Sequence, residues 1–292
     1  MTIFPTDLRP SDRGQTERAI VPALDIIDVA KRFVGRNGGT ITAVEKTNLS
    51  IAAGEFVTIV GPSGCGKSTL LNLMSGLTRP SEGTMRFKGS VIQGVSRHIG
   101  YITQQDNLLP WRTIKDNVAF PLEVKGVPKP ERYPLALEWL ERVGLGGFGD
   151  SYPHELSGGM RQRANIVRTL IYEPEVLLMD EPFGPLDAQT RLVLQHDLLD
   201  IWRSTRKTIV FVTHDLTEAI ALADRVILMS ARPGRISRID RVPIPRPRDI
   251  FHIHSQDGFR ELYDEIWNDL ETQVTARPRS GETAAPAERK AG

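Results

Sequence analysis

Apolar runs of strand length recur along the chain at Phe56–Val60, Val176–Met179, Ile209–Val212 and Val226–Met229. Continuous apolar runs, as opposed to alternating ones, suit strands buried on both faces of a parallel sheet. Helical stretches separate them. One follows Lys67 through Leu70, Leu71 and Met74; another runs near 190–203, where Leu194, Leu198 and Ile201 fall at i, i+4 and i+7. Strands alternating with helices predict an α/β fold with right-handed crossovers.

The rhythm breaks between about 106 and 165, where Pro110, Pro121, Pro128, Pro130 and Pro134 precede a helical stretch around Leu135–Arg142 and a glycine-rich turn at 144–149. This region reads as a mostly helical lobe inserted into the sheet domain. After 231, Arg232–Arg235 and Pro243–Pro247 predict an extended, proline-stiffened crossing. Phe259, Leu262, Tyr263, Ile266 and Leu270 then mark an amphipathic helix, expected to pack on its own domain, with a partner-facing role as the alternative. Residues 1–22 and 275–292 are polar and poor in large apolar side chains, so both are expected to be disordered tails.

Composition narrows the class. A length of 292 residues allows one large domain, or one with an inserted lobe. The formal net charge of +1 provides no strong field to recruit nucleic acid or anionic lipid by charge alone. Cys65 is the only cysteine, which excludes an internal disulfide and fits a reducing compartment. No apolar run approaches the ~18 residues that a bilayer crossing needs. The first residues lack the apolar centre of a signal peptide. The expected location is therefore cytosolic, with any link to a membrane running through a partner.

Gly61, Pro62, Ser63, Gly64, Cys65, Gly66, Lys67, Ser68 and Thr69 contain the pattern G-x-x-x-x-G-K-[ST], directly after an apolar strand and before a helical run. Glycines let successive backbone N–H groups turn inward around phosphate oxygens, and the following helix aims its positive end at the same anion. Lys67 would reach the β- and γ-phosphates, and Ser68 would hold Mg²⁺. Cys65 occupies a variable position of the loop and reads as a small residue without a chemical role. A second signal is the apolar strand ending in Asp180-Glu181. Ligands gather at the carboxyl ends of parallel strands. Asp180 would support Mg²⁺, directly or through water, and Glu181 would polarise the attacking water.

Those two motifs are common to many phosphate-loop enzymes. The discriminating run is Leu156-Ser157-Gly158-Gly159-Met160-Arg-Gln-Arg163, just before the acidic strand. A hydroxyl and two glycines at a helix start make a second anion site. This run resembles the signature sequence of ABC ATPases, and with it the resemblance covers about residues 24–230. It implies a phosphate-loop NTPase sheet core with an antiparallel β subdomain and the inserted helical lobe. The domain plan is then an ATPase domain over 23–250, its lobe at about 106–165, and a C-terminal helix over 251–274. Two copies would sandwich two ATP molecules head to tail, with Ser157, Gly158, Gly159 and the loop aspartate Asp187 reaching the partner copy's nucleotide. Gln104 matches the glutamine that senses Mg²⁺, with Gln105 beside it as the alternative. His214, in Val212-Thr-His214-Asp, matches the switch histidine at the γ-phosphate. Phe33 aligns with the aromatic that stacks on adenine, against a rival role in core packing. Gly184-Pro185 stands where many members carry Ser-Ala. No guanine-reading Asn-Lys-x-Asp motif is evident, which favours ATP.

Several absences separate the chain from other ABC ATPases. The sequence shows a short, proline-broken lobe in place of long coiled coils, one ATPase domain and no apolar run of membrane-spanning length, so a separate subunit of an importer is the expected fit; a soluble regulatory ABC ATPase is the alternative. Asn107–Trp111, Ala231–Ile236 and Glu261–Trp267 resemble the nitrate/sulfonate/taurine branch of bacterial importers. That resemblance implies permease subunits as partners, a periplasmic binding protein indirectly, and a place at the cytoplasmic face of the inner membrane. Trp111 lies where the family docks its membrane subunit, either exposed there or buried in the lobe.

Overall fold

The chain's structure, a computed structural model, describes residues 21–35 and 38–275. The expected tails, 1–22 and 275–292, lie outside the described residues except at their inner ends. The chain begins with β1 (Leu24–Val34), β2 (Thr40–Ile51), β3 (Phe56–Val60) and α1 (Lys67–Met74). Then β4 (Glu82–Phe87), β5 (Ser90–Val91) and β6 (Ile99–Ile102) lead into α2 (Ile114–Val124), α3 (Lys129–Arg142) and α4 (Gly158–Leu170). Strands and helices alternate through β7 (Val176–Asp180), α5 (Ala188–Thr205), β8 (Thr208–Val212), α6 (Leu216–Leu222) and β9 (Arg225–Met229), and the described chain ends with β10 (Ile236–Arg241) and α7 (Phe259–Thr275).

Among the described residues one sheet runs in the order β10-β9-β3-β8-β7-β6, all parallel except the β9–β10 pair. Its central strands are buried on both faces, as their unbroken apolar sequences require. Phe56, Leu177, Met179, Ile209, Phe211 and Leu228 point into a core shared with α4 to α7. The intervening Val57, Ile59, Leu178, Val210, Val212 and Ile227 point the other way, onto α1 and an antiparallel sheet ordered β2-β1-β4-β5. The α/β architecture with its antiparallel subdomain is therefore the one expected.

The lobe has its own core of Ile114, Val118, Leu122, Ala136, Leu140, Ala164 and Val167, drawn from α2, α3 and α4. Here the prolines mislead. Helix α3 begins at Lys129, well before the helical stretch expected around Leu135, because Pro130 sits in the first turn, where no intrahelical N–H bond is lost. Pro121 and Pro134 lie inside helices, each removing one bond that lobe packing offsets. The crossing expected after 231 contains strand β10, whose half-buried and exposed positions alternate at the sheet edge.

Helix α7 lies against its own domain. Phe259, Leu262 and Ile266 are buried, each worth about 1.5–3 kcal/mol of burial, and Phe259, Tyr263 and Trp267 stack in sequence along the helix with centroids 5.9 and 6.1 Å apart. Among the described residues no helix is long and apolar enough to cross a membrane.

Candidate functional site

The loop after β3 and the first turn of α1 form one wall of a pocket of about 230 Å³ lined by Ala43, Ser63, Gly64, Gly66–Thr69, Glu181 and Arg232. Gly66 caps α1 with no side-chain acceptor, so the first-turn N–H groups keep their bonding capacity for an anion. Gly64 and Gly66 take φ values of 73° and 113°. Lys67 is buried, and its Nζ donates to the Gly61 and Pro62 carbonyls at 2.8 and 3.1 Å. Cys65 faces away from the pocket into the core, where burial raises its thiol pKa and Lys67 only partly offsets the effect. That environment is the inert one.

Strand β7 delivers the acidic pair to this wall. Ser68 Oγ donates to Asp180 Oδ1 at 3.1 Å, and the Tyr101 hydroxyl stands 3.4 Å from Oδ2. Burial holds the Asp180 carboxyl above its ordinary pKa, against the lowering effect of the Ser68 bond, and the neighbouring Glu181 charge adds to the rise. A hydroxyl and a carboxylate form an oxygen donor set of the kind a hard divalent cation takes. Among the described residues no group of three or more His, Cys, Asp and Glu side chains could hold a metal. A Mg²⁺ there would draw its other oxygens from water and phosphate, as that ion commonly does. Glu181 adopts φ 44° just beyond the strand, and its Oε2 lies 3.0 Å from His214 Nδ1. Such a pair can orient a water molecule and exchange its proton.

Other sequence-chosen residues lie elsewhere. Phe33 is 44% exposed near the end of β1, which removes the core-packing alternative; Lys31 Nζ lies 5.0 Å from its ring centroid. Gln104 does not line the phosphate-loop pocket. It borders a neighbouring cavity of about 400 Å³ with Gln105, Asp106, Gly158, Arg161 and Pro185. Ser157 caps α4, its Oγ accepting from Met160 N at 3.3 Å, so the signature run opens a second helix away from Lys67. Gly159 packs against α5, where a Cβ would meet Thr190 Cγ2 at 2.5 Å. Asp187 caps α5 by accepting from Gln189 N and Thr190 N at 3.1 and 3.0 Å.

Several contributors escaped the sequence reading. Tyr101 and Ala43 carry no motif. Arg232 belongs to a run read as an extended crossing and a branch resemblance, with no role at the pocket. Asn117 is fully buried in the lobe and grips the turn that carries Trp111: it accepts from Leu109 N at 2.7 Å and donates to the Leu109, Arg112 and Thr113 carbonyls. Trp111 itself is 71% exposed.

A parallel sheet with a phosphate loop, a half-buried strand-end aspartate against the first turn of the following helix, and a glutamate–histidine pair beyond adjacent strand ends defines a phosphate-loop nucleotide hydrolase. Comparison with known proteins narrows the class. A family model described as ABC transporter matches residues 44–184. An uncharacterized ABC transporter ATP-binding protein, MJ0412, of Methanocaldococcus jannaschii is 48% identical over 82% of this chain and 88% of its own. The aliphatic sulfonates import ATP-binding protein SsuB of Bacillus cereus is 41% identical over 84% of this chain and 95% of its own. Among solved structures, the dimeric post-hydrolysis ATP-binding cassette MJ0796 with ADP and Pi superimposes with TM-score 0.67 at 34% identity, covering 75% of this chain and 98% of that one. The chain belongs to the ABC transporter ATP-binding family, and it is an ATPase.

Proposed function

We propose that this chain energises an importer of small anions such as aliphatic sulfonates, taurine or nitrate. It would act as a head-to-tail pair of copies beneath permease subunits at the cytoplasmic face of a bacterial inner membrane, a periplasmic binding protein contributing indirectly. The observation that carries this reading is the similarity to SsuB, which extends over nearly the whole of that relative. The exposed Trp111, on a turn braced by Asn117, is the apolar anchor offered to the permease.

In this reading the phosphate loop binds ATP, with Phe33 against the adenine and Lys67 on the β- and γ-phosphates. Ser68, Asp180 and Gln104 would hold Mg²⁺, which when bound supplies charge neutralisation across the phosphates. Gln104 must move from its present cavity to take part. His214 keeps Glu181 oriented and contacts the γ-phosphate, while Glu181 takes a proton from the attacking water. Ser157, Gly158 and Gly159 approach the nucleotide held by the other copy, and Asp187 stands at the same seam. Catalysis is then positioning plus charge stabilisation, completed only when two copies meet.

Co-expression with a candidate permease of the sulfonate, taurine or nitrate class tests the assignment. ATP-driven uptake of a sulfonate, taurine or nitrate into vesicles that also hold the binding protein is the expected result. Stable association with nucleic acid or ribosomes, and with no polytopic membrane protein, would overturn it in favour of a soluble regulatory ATPase.

A further inference from the structure

The segment between β9 and β10 lies against the phosphate loop. Gly234 bridges to Val44, donates its N–H to Ala43 O at 3.2 Å and accepts from Glu45 N at 2.7 Å. A side chain at Gly234 is excluded, since a Cβ there would come within 1.9 Å of Cys65 O. Ser230 and Arg235 close the turn by a backbone bond of 2.9 Å. Arg232 is thus presented by a turn fixed on both sides to the nucleotide pocket. Its Nε donates to Gly64 O at 2.6 Å, and the guanidinium lines the pocket with Lys67 and Thr69.

Three nearby arginines are committed to carboxylates, whereas Arg235 and Arg241 do not line the pocket. Arg225 pairs with Glu55, Arg246 with Asp224, and Arg238 with Asp240 and Asp269. Arg232 has no carboxylate partner among the described residues, and neither Nη group bonds to a protein atom there. A guanidinium held by one N–H, with its remaining donors at the rim of a phosphate pocket, is a preorganised anion ligand.

We propose that Arg232 is a second cationic ligand of the nucleotide's phosphate chain, fixed by Gly64 O and acting beside Lys67. This rests on the phosphate-loop pocket being the ATP site. The contact reads the phosphate chain and not the base, so its loss weakens affinity for ADP and ATP alike and raises KM, with a smaller effect on kcat.

The test measures ADP affinity, thermal midpoint and ATPase kinetics for the full-length chain and for Arg232→Gln, Arg232→Lys and Lys67→Ala. Arg232→Gln is expected to weaken ADP binding about tenfold, the effect of losing a charge-assisted hydrogen bond, with an unchanged midpoint. Arg232→Lys keeps the charge but loses the Nε anchor on Gly64 O, so its ADP affinity is expected to fall between those of the parent and Arg232→Gln. Parent-like ADP binding by Arg232→Gln, while Lys67→Ala binds poorly, overturns the proposal and leaves the pocket assignment standing. A loss in Arg232→Gln that comes with a lowered midpoint and is shared in full by Arg232→Lys makes Arg232 a structural pin and also overturns it. Normal binding by Lys67→Ala removes the pocket assignment and the proposal together.

Discussion

His214 Nδ1 lies 3.0 Å from Glu181 Oε2, joining two residues just beyond the ends of adjacent parallel strands. The contact fixes the glutamate that the acidic strand places at the pocket. Glu181→Gln keeps the size of the side chain and an oxygen acceptor for His214 but loses the basic carboxylate. ATP turnover is expected to fall by about 10²–10⁴-fold while ATP binding persists. Phosphate release and equilibrium binding, measured on one preparation, check this. Near-normal turnover would remove Glu181 from its role.

Asp180 is a carboxylate held in a place that penalises its charge. Its pKa is raised by burial, so its stabilising contribution is present at low pH, where it is protonated, and is lost as pH rises through the raised value. At neutral pH the ionised group is therefore a net cost to the fold. Asp180→Asn, measured without added nucleotide or magnesium, should raise the thermal midpoint by about 2–4 °C, the equivalent of roughly 1 kcal/mol at this chain length. The same variant should lose ATP hydrolysis. A lowered midpoint would contradict the burial argument.

Gly159 separates a packing demand from a chemical one. A Cβ there would stand 2.5 Å from Thr190 Cγ2, so Gly159→Ala should cost about 1–3 kcal/mol of stability in denaturant titrations. Adding Thr190→Ser removes the clashing methyl and should restore stability. If the signature run also approaches the other copy's nucleotide, the double variant remains defective in ATPase activity. Full recovery of both properties would make Gly159 a packing residue alone.

Trp111 is exposed on a turn that Asn117 holds from beneath. Trp111→Ala should change folding stability by less than about 0.5 kcal/mol, as exposed positions usually do. It should also reduce co-purification with the permease. Undiminished co-purification would remove Trp111 from the proposed contact.

The parallel sheet was legible because strands such as Ile209–Val212 are apolar on both faces, and the phosphate loop because its glycines and Lys67 are contiguous. The Ser68–Asp180 contact followed from the rule that ligands gather at strand ends. Strand β10 was hidden because Ile236–Arg241 has only two apolar residues, three positions apart, and stands between prolines. Asn117 and Arg232 were illegible for another reason: their roles consist of contacts with other parts of the chain. A buried asparagine that satisfies a turn looks like any polar residue in a helix, and Arg232 meets Gly64 only after β9 has crossed beside β3. Gln104 was matched to a motif, but its placement beside Gly158 depends on how the lobe seats against the sheet.

The turn after β6 is held by main-chain acceptors. Arg168 binds the carbonyls of Asp106 and Asn107 at 2.9 and 2.8 Å, and Asn117 binds those of Leu109, Arg112 and Thr113. Every residue type carries a carbonyl, so these grips do not depend on which side chains occupy the turn. Trp111 therefore sits on a turn whose bonds to α4 and α2 a change of its own side chain leaves in place.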